Sequence, residues 1–185
     1  QSNETMKVSL TGVILEEFIT NQDVKYIKTA TKNFFVDTPN GKRRHIAVGG
    51  IGEKSAVLAD VWGEPPAASL GDAIIYAPWI KSISAKGGSI LPTSILGDVE
   101  KIAAIGGVYT TKDYDKVLLA GNIRPALIIN PIYIKSIVAK SKKFRGAIAG
   151  GFIGYAADFQ LLEIIAPNIN TTYGYSGVSG KFIAG

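Results

Sequence analysis

The side chains that most often carry chemistry in proteins are scarce in this sequence. His45 is the single histidine among 185 residues, cysteine is absent, and neither a zinc-protease HExxH motif nor a phosphate-binding P-loop occurs. His45 directly follows Lys42, Arg43 and Arg44, and three neighbouring cations repel a metal ion. General acid–base and nucleophilic catalysis depend on side chains of these types. The sequence therefore predicts a protein that is not an enzyme and that carries no metal or cofactor.

Two acidic residues and a glycine run are the remaining candidates for a site. Asp113 and Asp115 would share one face of a strand and suit a cation, but they lie in the polar run 110–116, which favours a turn. Glycines recur at spacings of four between Gly146 and Gly154, a pattern that allows close packing of helices or sheets. Because no Lys-Ser or Lys-Thr pair follows these glycines, we interpret them as packing residues.

Positive charge is concentrated in the second half of the chain. The formal net charge is +5, and the surplus lies mainly at Lys140, Lys142, Lys143 and Arg145. Such a run is most often a solvated turn, which is the interpretation that we favour. The alternative is a patch for nucleic acid or another polyanion.

The elements that must position any site are predicted from an internal repeat. Residues 74–86 (IIYAPWIKSISAK) and 128–140 (IINPIYIKSIVAK) are identical at 8 of 13 positions without a gap. Both copies are rich in isoleucine, and their Lys and Ser residues interrupt apolar ones, as in a half-buried β-strand. The most distinctive sequence of the chain is therefore predicted to form sheet.

Other segments extend this β pattern over most of the chain. Strands are expected at 7–14, 24–36, 42–48, 56–62, 105–110, 116–120 and 126–139, a short helix at Asp98–Ala104, and either element at 155–165. The turn residues Pro39, Asn40 and Gly41 predict a hairpin between the second and third of these strands. The sequence thus predicts an all-β fold, a barrel or sandwich of antiparallel strands with at most one or two short helices.

Three short motifs recur in one part of the chain: the Asn40-Gly41-Lys42-Arg43 turn, then residues 57–64 (VLADVWGE), then Leu70-Gly71-Asp72 followed by Trp79. Together they resemble, over about residues 40–95, the archaeal single-stranded DNA-binding proteins of the OB fold. The resemblance implies that Trp62 and Trp79 are platforms on which bases stack, and that Lys42, Arg43 and Arg44 lie near the nucleic-acid backbone. The competing interpretation places both tryptophans in the core or at a sheet edge.

The domain organisation follows from the same segments. We expect a single β-rich unit over residues 1–185. The glycine-rich segment 87–92 marks the alternative, a division near 87–98 into an OB-like half, 1–88, and a second β half, 96–185.

Composition favours a protein with an extensive partner surface. Apolar residues make up 46% of the chain and charged residues only 19%, and the mean hydropathy is +0.20. A surface this poor in charge often faces another protein, including another copy of itself. Because no run of 18 apolar residues occurs, no membrane span is expected. One Met and three Gln beside many Ile and Lys lean toward a thermophile.

These observations predict a structural function. Copies of the chain would join through β-strand edges into an extracellular filament, tube or particle. The N-terminal segment is the expected donor strand, through Val8, Leu10, Val13 and Ile14. The tail is expected to contribute Tyr173, Tyr175 and Phe182.

Two further features favour export. Gln1 in place of an initiator Met indicates a trimmed or processed N-terminus, and Asn3 and Asn170 lie in candidate glycosylation sequons. The alternative function is that of a cytoplasmic protein that binds single-stranded nucleic acid through the tryptophans and basic residues named above.

Overall fold

The computed structural model describes residues 5–61, 73–91, 93–110, 116–119, 121–129, 133–140, 151–156, 160–165, 168–174 and 179–183. Within this part of the chain, β-strands predominate and one helix occurs, α1 (Lys54–Val61). The strands are β1 (Met6–Thr11), β2 (Ile14–Leu15), β3 (Glu17–Ile19), β4 (Val24–Ala30), β5 (Lys32–Thr38), β6 (Gly41–Ala47), β7 (Gly50–Gly52), β8 (Ala73–Lys86), β9 (Ile90–Leu91), β10 (Thr93–Ile105), β11 (Gly107–Thr110), β12 (Lys116–Leu119), β13 (Ile123–Ile129), β14 (Tyr133–Lys140), β15 (Gly151–Ala156), β16 (Gln160–Ile165), β17 (Asn168–Gly174) and β18 (Ser179–Ile183). The prediction of an all-β protein is confirmed.

The strands form three faces, around which the chain winds repeatedly. Face 1 contains β1, β4, the second halves of β8 (80–86) and β10 (99–105), then β14, β16 and β18, in that spatial order. Face 2 contains β2, β7, β9 and the start of β13. Face 3 contains β3, the first halves of β8 and β10, the end of β13, then β15 and β17. All these pairs are parallel, and each coil of the chain passes through the faces in turn, which is the arrangement of a β-solenoid.

Apolar side chains that align from coil to coil form the core. The aligned columns are Ile27, Ile83, Ile102 and Ile137 on face 1, Leu15, Ile51, Ile90 and Ile123 on face 2, and Phe18, Ile75, Ile95 and Ile128 on face 3. The buried isoleucines of all three faces belong to one continuous cluster. Burying each isoleucine contributes about 1.5–3 kcal/mol to stability. The three faces therefore enclose a single core.

A tightly packed corner joins face 1 to face 2. The residue that follows each strand of face 1 donates its backbone N–H to the last residue of the next strand, in the pairs Gly12 to Ala30, Thr31 to Lys86, Gly87 to Ile105 and Gly106 to Lys140. A Cβ atom added at Gly88 would lie 2.1 Å from the Gly49 carbonyl oxygen. Neighbouring coils approach so closely at this corner that a side chain at Gly88 would clash with the backbone of the next coil.

Two antiparallel hairpins are inserted at this corner. The strands β5 and β6 form the first, and β11 and β12 form the second, and β6 contacts β11. The hairpin predicted around Asn40 and Gly41 is confirmed, and Gly41 has the positive φ of +106° that such a turn requires.

The strand direction differs from the prediction of an antiparallel barrel or sandwich. Only the two hairpins are antiparallel among the described pairs; those of the large sheet are parallel. Parallel sheets in most proteins are covered on both sides and have continuous apolar runs. In this solenoid the outer side of each face meets solvent, so the strands keep the apolar–polar alternation that is typical of antiparallel sheets. Alternation alone therefore indicates the wrong direction.

The segment 56–62, predicted as a strand, is mostly helical as far as it is described. Helix α1 covers Lys54–Val61, and the Glu53 carboxylate accepts the backbone N–H of Ser55 at 3.0 Å, as a helix N-cap does. Val57 is fully buried against Ile14 and Val48. The helix thus covers its own small apolar cluster.

The helix predicted at Asp98–Ala104 is instead part of β10. Val99, Ile102 and Ala104 face the core with at most 1% exposure, so the strand period places them on one side. The ambiguous segment 155–165 contains the end of β15 and the strand β16, with 157–159 outside the described residues.

The two copies of the repeat lie on either side of β10 on face 1. Ser82 and Ser136 both align with Lys101, and Ile83 and Ile137 both align with Ile102. The repeat therefore reflects equivalent positions in coils of the solenoid. Residues 87–91, which marked a boundary in the sequence, form a corner between β8 and β10, and these two strands pair on both face 1 and face 3.

Candidate functional site

The first coil, formed by β1, β2 and β3, is an incompletely covered end of the solenoid. Met6, Val8, Leu15 and Phe18 pack against the core but are only partly buried. Their counterparts in the next coil, which include Ile27, Ile51 and Ile75, are at most 1% exposed. Within the described residues, one side of this coil has apolar groups without a covering layer.

The backbone of β1 also has one side without a described partner strand, since β1 pairs with β4 alone. Met6 and Gly12 donate their N–H groups to Asp23 and Ala30 at 3.0 and 2.7 Å. Backbone groups alternate in direction along a strand, so counting back from Gly12 the N–H groups of Thr11 and Ser9 point away from β4. An edge of this kind is a template for another strand.

The structure places the predicted donor residues in the chain's own first coil. Val8 and Leu10 lie in β1, aligned with Ile27 and Thr29 of β4. Val13 is 49% exposed, and Ile14 packs on the cluster around Val57. The segment is therefore folded on its own body, and it offers an edge rather than a free strand.

The predicted tail residues lie at the other end of the solenoid. Tyr173 is in β17, aligned with Tyr155 of β15, and Phe182 is in β18, aligned with Ile164 of β16. Tyr175 lies outside the described residues. Of the two sequons, Asn170 lies in β17, and Asn3 precedes the described part of the chain.

The strands of face 1 carry most of the positive charge. Together they contain nine lysines and two glutamates, a net charge of +7, against +5 for the whole chain. Asp98 lies just before them, at the corner that leads into the second half of β10. Eight of the lysines are exposed: Lys7, Lys25, Lys28, Lys81, Lys86, Lys101, Lys135 and Lys140. In the described part of the chain, one salt bridge involves them, Lys135 to Glu100 at 3.8 Å.

Only part of the predicted nucleic-acid site can be placed. Lys42, Arg43 and Arg44 are exposed on β6, and the Arg44 guanidinium lies 5.3 Å from the centre of the Phe35 ring. Trp79 is half-buried in β8, where it aligns with Asp98. Trp62 lies outside the described residues. The cations and Trp79 therefore belong to different elements, a hairpin and a solenoid strand.

The remaining candidates fall at the margins of the described chain. Lys140 is exposed at the end of β14, whereas Lys142, Lys143 and Arg145 lie outside the described residues, as do Asp113 and Asp115. His45 stacks on Phe34, with ring centres 5.6 Å apart. No group of three His, Asp or Glu side chains is arranged to hold a metal ion within the ranges that the structure describes.

No protein-family model matches this sequence, and neither a curated protein nor a solved structure matches it. In the part of the chain that is described, no helix is long and apolar enough to cross a membrane.

The sequence contained two signals of this architecture that pattern analysis missed. Glycine precedes the inward residues of face 2 at Gly49-Gly50-Ile51, Gly88-Ser89-Ile90 and Gly121-Asn122-Ile123. This spacing marks the corner in three successive coils. The lysines of face 1 were the second signal, because they occupy solvent-facing positions of strands that are distant in sequence.

Proposed function

We propose that this protein is a non-catalytic structural subunit whose copies join end to end, through the open strand edges of the solenoid, into an extracellular filament. The observation that carries the proposal is the contrast between the first two coils. The apolar residues of the first coil stay partly exposed where those of the second are fully buried. A second layer on β1 would bury them and satisfy its outward N–H groups.

The direction of the strands supports growth in one dimension. The end strands β1 and β18 lie at opposite ends of face 1, and every pair between them is parallel. Placing β18 of one copy on β1 of the next would continue the same parallel ladder. Such a head-to-tail contact uses two different surfaces and repeats without closing, which produces a filament. Because β1 already pairs within its own chain, the proposed mechanism is edge addition rather than strand exchange.

A proline on the open edge tests this contact. The Ser9 side chain is exposed and its N–H points away from β4, so Ser9→Pro removes an outward donor while it leaves the ladder with β4 in place. We expect the wild type and Ser9→Ala to form filaments in negative-stain images, and Ser9→Pro to remain a folded monomer by light scattering.

The matching control breaks the chain's own ladder. By the same alternation, the Leu10 N–H points toward β4, so Leu10→Pro should lower the melting temperature of the monomer where Ser9→Pro does not. A wild-type protein that stays monomeric over a wide range of concentrations would refute end-to-end assembly.

A second proposal, single-stranded nucleic-acid binding, is favoured by the first hairpin. Phe35 is 61% exposed beside Arg44, so an aromatic ring and three cations share one exposed element, as base stacking with backbone neutralisation requires. Titration of the tryptophan fluorescence with an oligonucleotide tests it. Quenching that weakens with salt and is lost in Phe35→Ala supports binding, and an unchanged signal excludes it.

A further inference from the structure

We infer that the outer surface of face 1 binds a linear anionic polysaccharide. The inference does not depend on filament formation, and it concerns a surface other than the hairpin. Its basis is the separation of charge: the strands of face 1 have a net charge of +7, so the rest of the chain has a net charge of −2. A flat surface with one sign of charge attracts and orients a polymer of the opposite sign.

The lysines are not neutralised by their surroundings. The one ion pair described among them is long, at 3.8 Å, and its two side chains are 48% and 26% exposed. An exposed pair of this kind contributes little energy. Most of the positive charge on face 1 is therefore available to a partner.

Serines alternate with lysines along the axis of the solenoid. Lys28 aligns with Ser9 on one side and Ser84 on the other. Lys101 aligns in the same way with Ser82 and Ser136. Neighbouring strands are roughly 4.8 Å apart, so each of these columns presents hydroxyl, ammonium and hydroxyl at short, regular intervals. Carboxylate or sulfate groups would meet the ammonium groups, and the serine hydroxyls would bond to sugar hydroxyls.

The same surface is less suited to nucleic acid. Single-stranded nucleic acids bind through aromatic platforms on which bases stack. Tyr26 of face 1 is only partly exposed, and the Lys28 ammonium lies 4.2 Å from the centre of its ring. The exposed cations of face 1 in the described residues are all lysines, which act as point charges and lack the planar fork that arginine offers to phosphate.

Affinity electrophoresis in gels that contain polygalacturonate, with dextran as the neutral control, tests the inference. The first variant is Lys81→Gln/Lys86→Gln/Lys101→Gln on face 1. The second is Lys42→Gln/Arg43→Gln/Arg44→Gln on the hairpin, which removes the same number of charges elsewhere. Thermal unfolding confirms that both variants are folded, and protein concentrations are kept in the monomeric range.

We expect polygalacturonate, but not dextran, to retard the wild type, and added salt to abolish the retardation. The face 1 variant should lose about 100-fold in affinity, whereas the hairpin variant should keep most of it. Equal losses in the two variants, or no retardation of the wild type, would overturn the inference. So would tighter binding of a thymidine oligonucleotide that depends on the same three lysines, because the partner would then be a nucleic acid.

Discussion

Two threonines at the end of β4 show how the solenoid treats buried polar groups. The Thr31 hydroxyl accepts the N–H of Gly49 at 2.9 Å and donates to the Gly87 carbonyl at 2.5 Å. It thereby ties three coil segments together at the corner. Thr29 is equally inaccessible, at 1% exposure, but its hydroxyl has no hydrogen-bond partner. The same functional group is thus stabilising at one position and costly at the other.

Replacing each threonine by valine, which has the same shape, is expected to separate these effects. Thr31→Val leaves the Gly49 N–H without a partner and should lower the free energy of unfolding by about 1–3 kcal/mol. Thr29→Val removes an unsatisfied hydroxyl and should leave stability unchanged or raise it by about 1 kcal/mol. Urea denaturation measures both, and Thr31→Ser, which keeps the hydroxyl, is the control. Equal destabilisation by the two valines would contradict this account.

At the residue level, the sequence predicted which side chains face inward better than it predicted their neighbours. The alternation in 74–86 correctly assigns Ile75, Ile80 and Ile83 to a buried side. It carries no information on which strand lies beside them, because the partner of Ile83 is set by coil length, and coil length varies with the inserted hairpins. The lysines of face 1 were recognised one by one, yet their common surface appears only once the coils are stacked.

At the scale of elements, local signals were reliable and orientation was not. The Asn40-Gly41 turn specifies its hairpin because two residues set the backbone geometry. Strand direction is set by the corner, where the chain turns onto the next face instead of reversing. The apolar run 57–61 also had no local marker of helix other than Glu53, whose carboxylate caps α1.

The first hairpin is an insertion, so the solenoid should fold without it. The corner that follows β8 runs directly through Gly87, Gly88 and Ser89 to Ile90, and Gly49 packs against Gly88 in the same corner of the adjacent coil. Deleting residues 32–48 would join Thr31 to Gly49 and recreate that shorter connection.

We expect this deletion variant to keep its β-sheet circular dichroism signal and to unfold cooperatively. The change in the free energy of unfolding should stay within about 2 kcal/mol, because the lost contacts are mainly those of Val48 with Val57. Loss of cooperative unfolding would show that the hairpin is an integral part of the fold. The variant also lacks Lys42, Arg43 and Arg44, so any oligonucleotide binding that persists in it would remove the hairpin from the nucleic-acid proposal.

At the scale of the whole molecule, stability in a solenoid is the sum of each coil and its contacts with two neighbours. Interior coils such as those of β8 and β10 have a neighbour on both sides, whereas the first coil has one described neighbour. Its apolar side chains remain partly exposed, so the first coil is expected to open more easily than the middle of the molecule.

Hydrogen exchange at two protein concentrations can therefore distinguish an end that frays from an end that binds another copy. In dilute monomer, the outward amides of Ser9 and Thr11 should exchange at nearly unprotected rates, while Gly12, bonded to Ala30 at 2.7 Å, exchanges more slowly. Under conditions of filament formation, Ser9 and Thr11 should become protected to the level of β8, because a neighbour's strand then accepts their N–H groups. Assembly that leaves these two amides unprotected would place the contact on another surface, such as the exposed Phe35 of the hairpin, and would overturn the edge-to-edge mechanism.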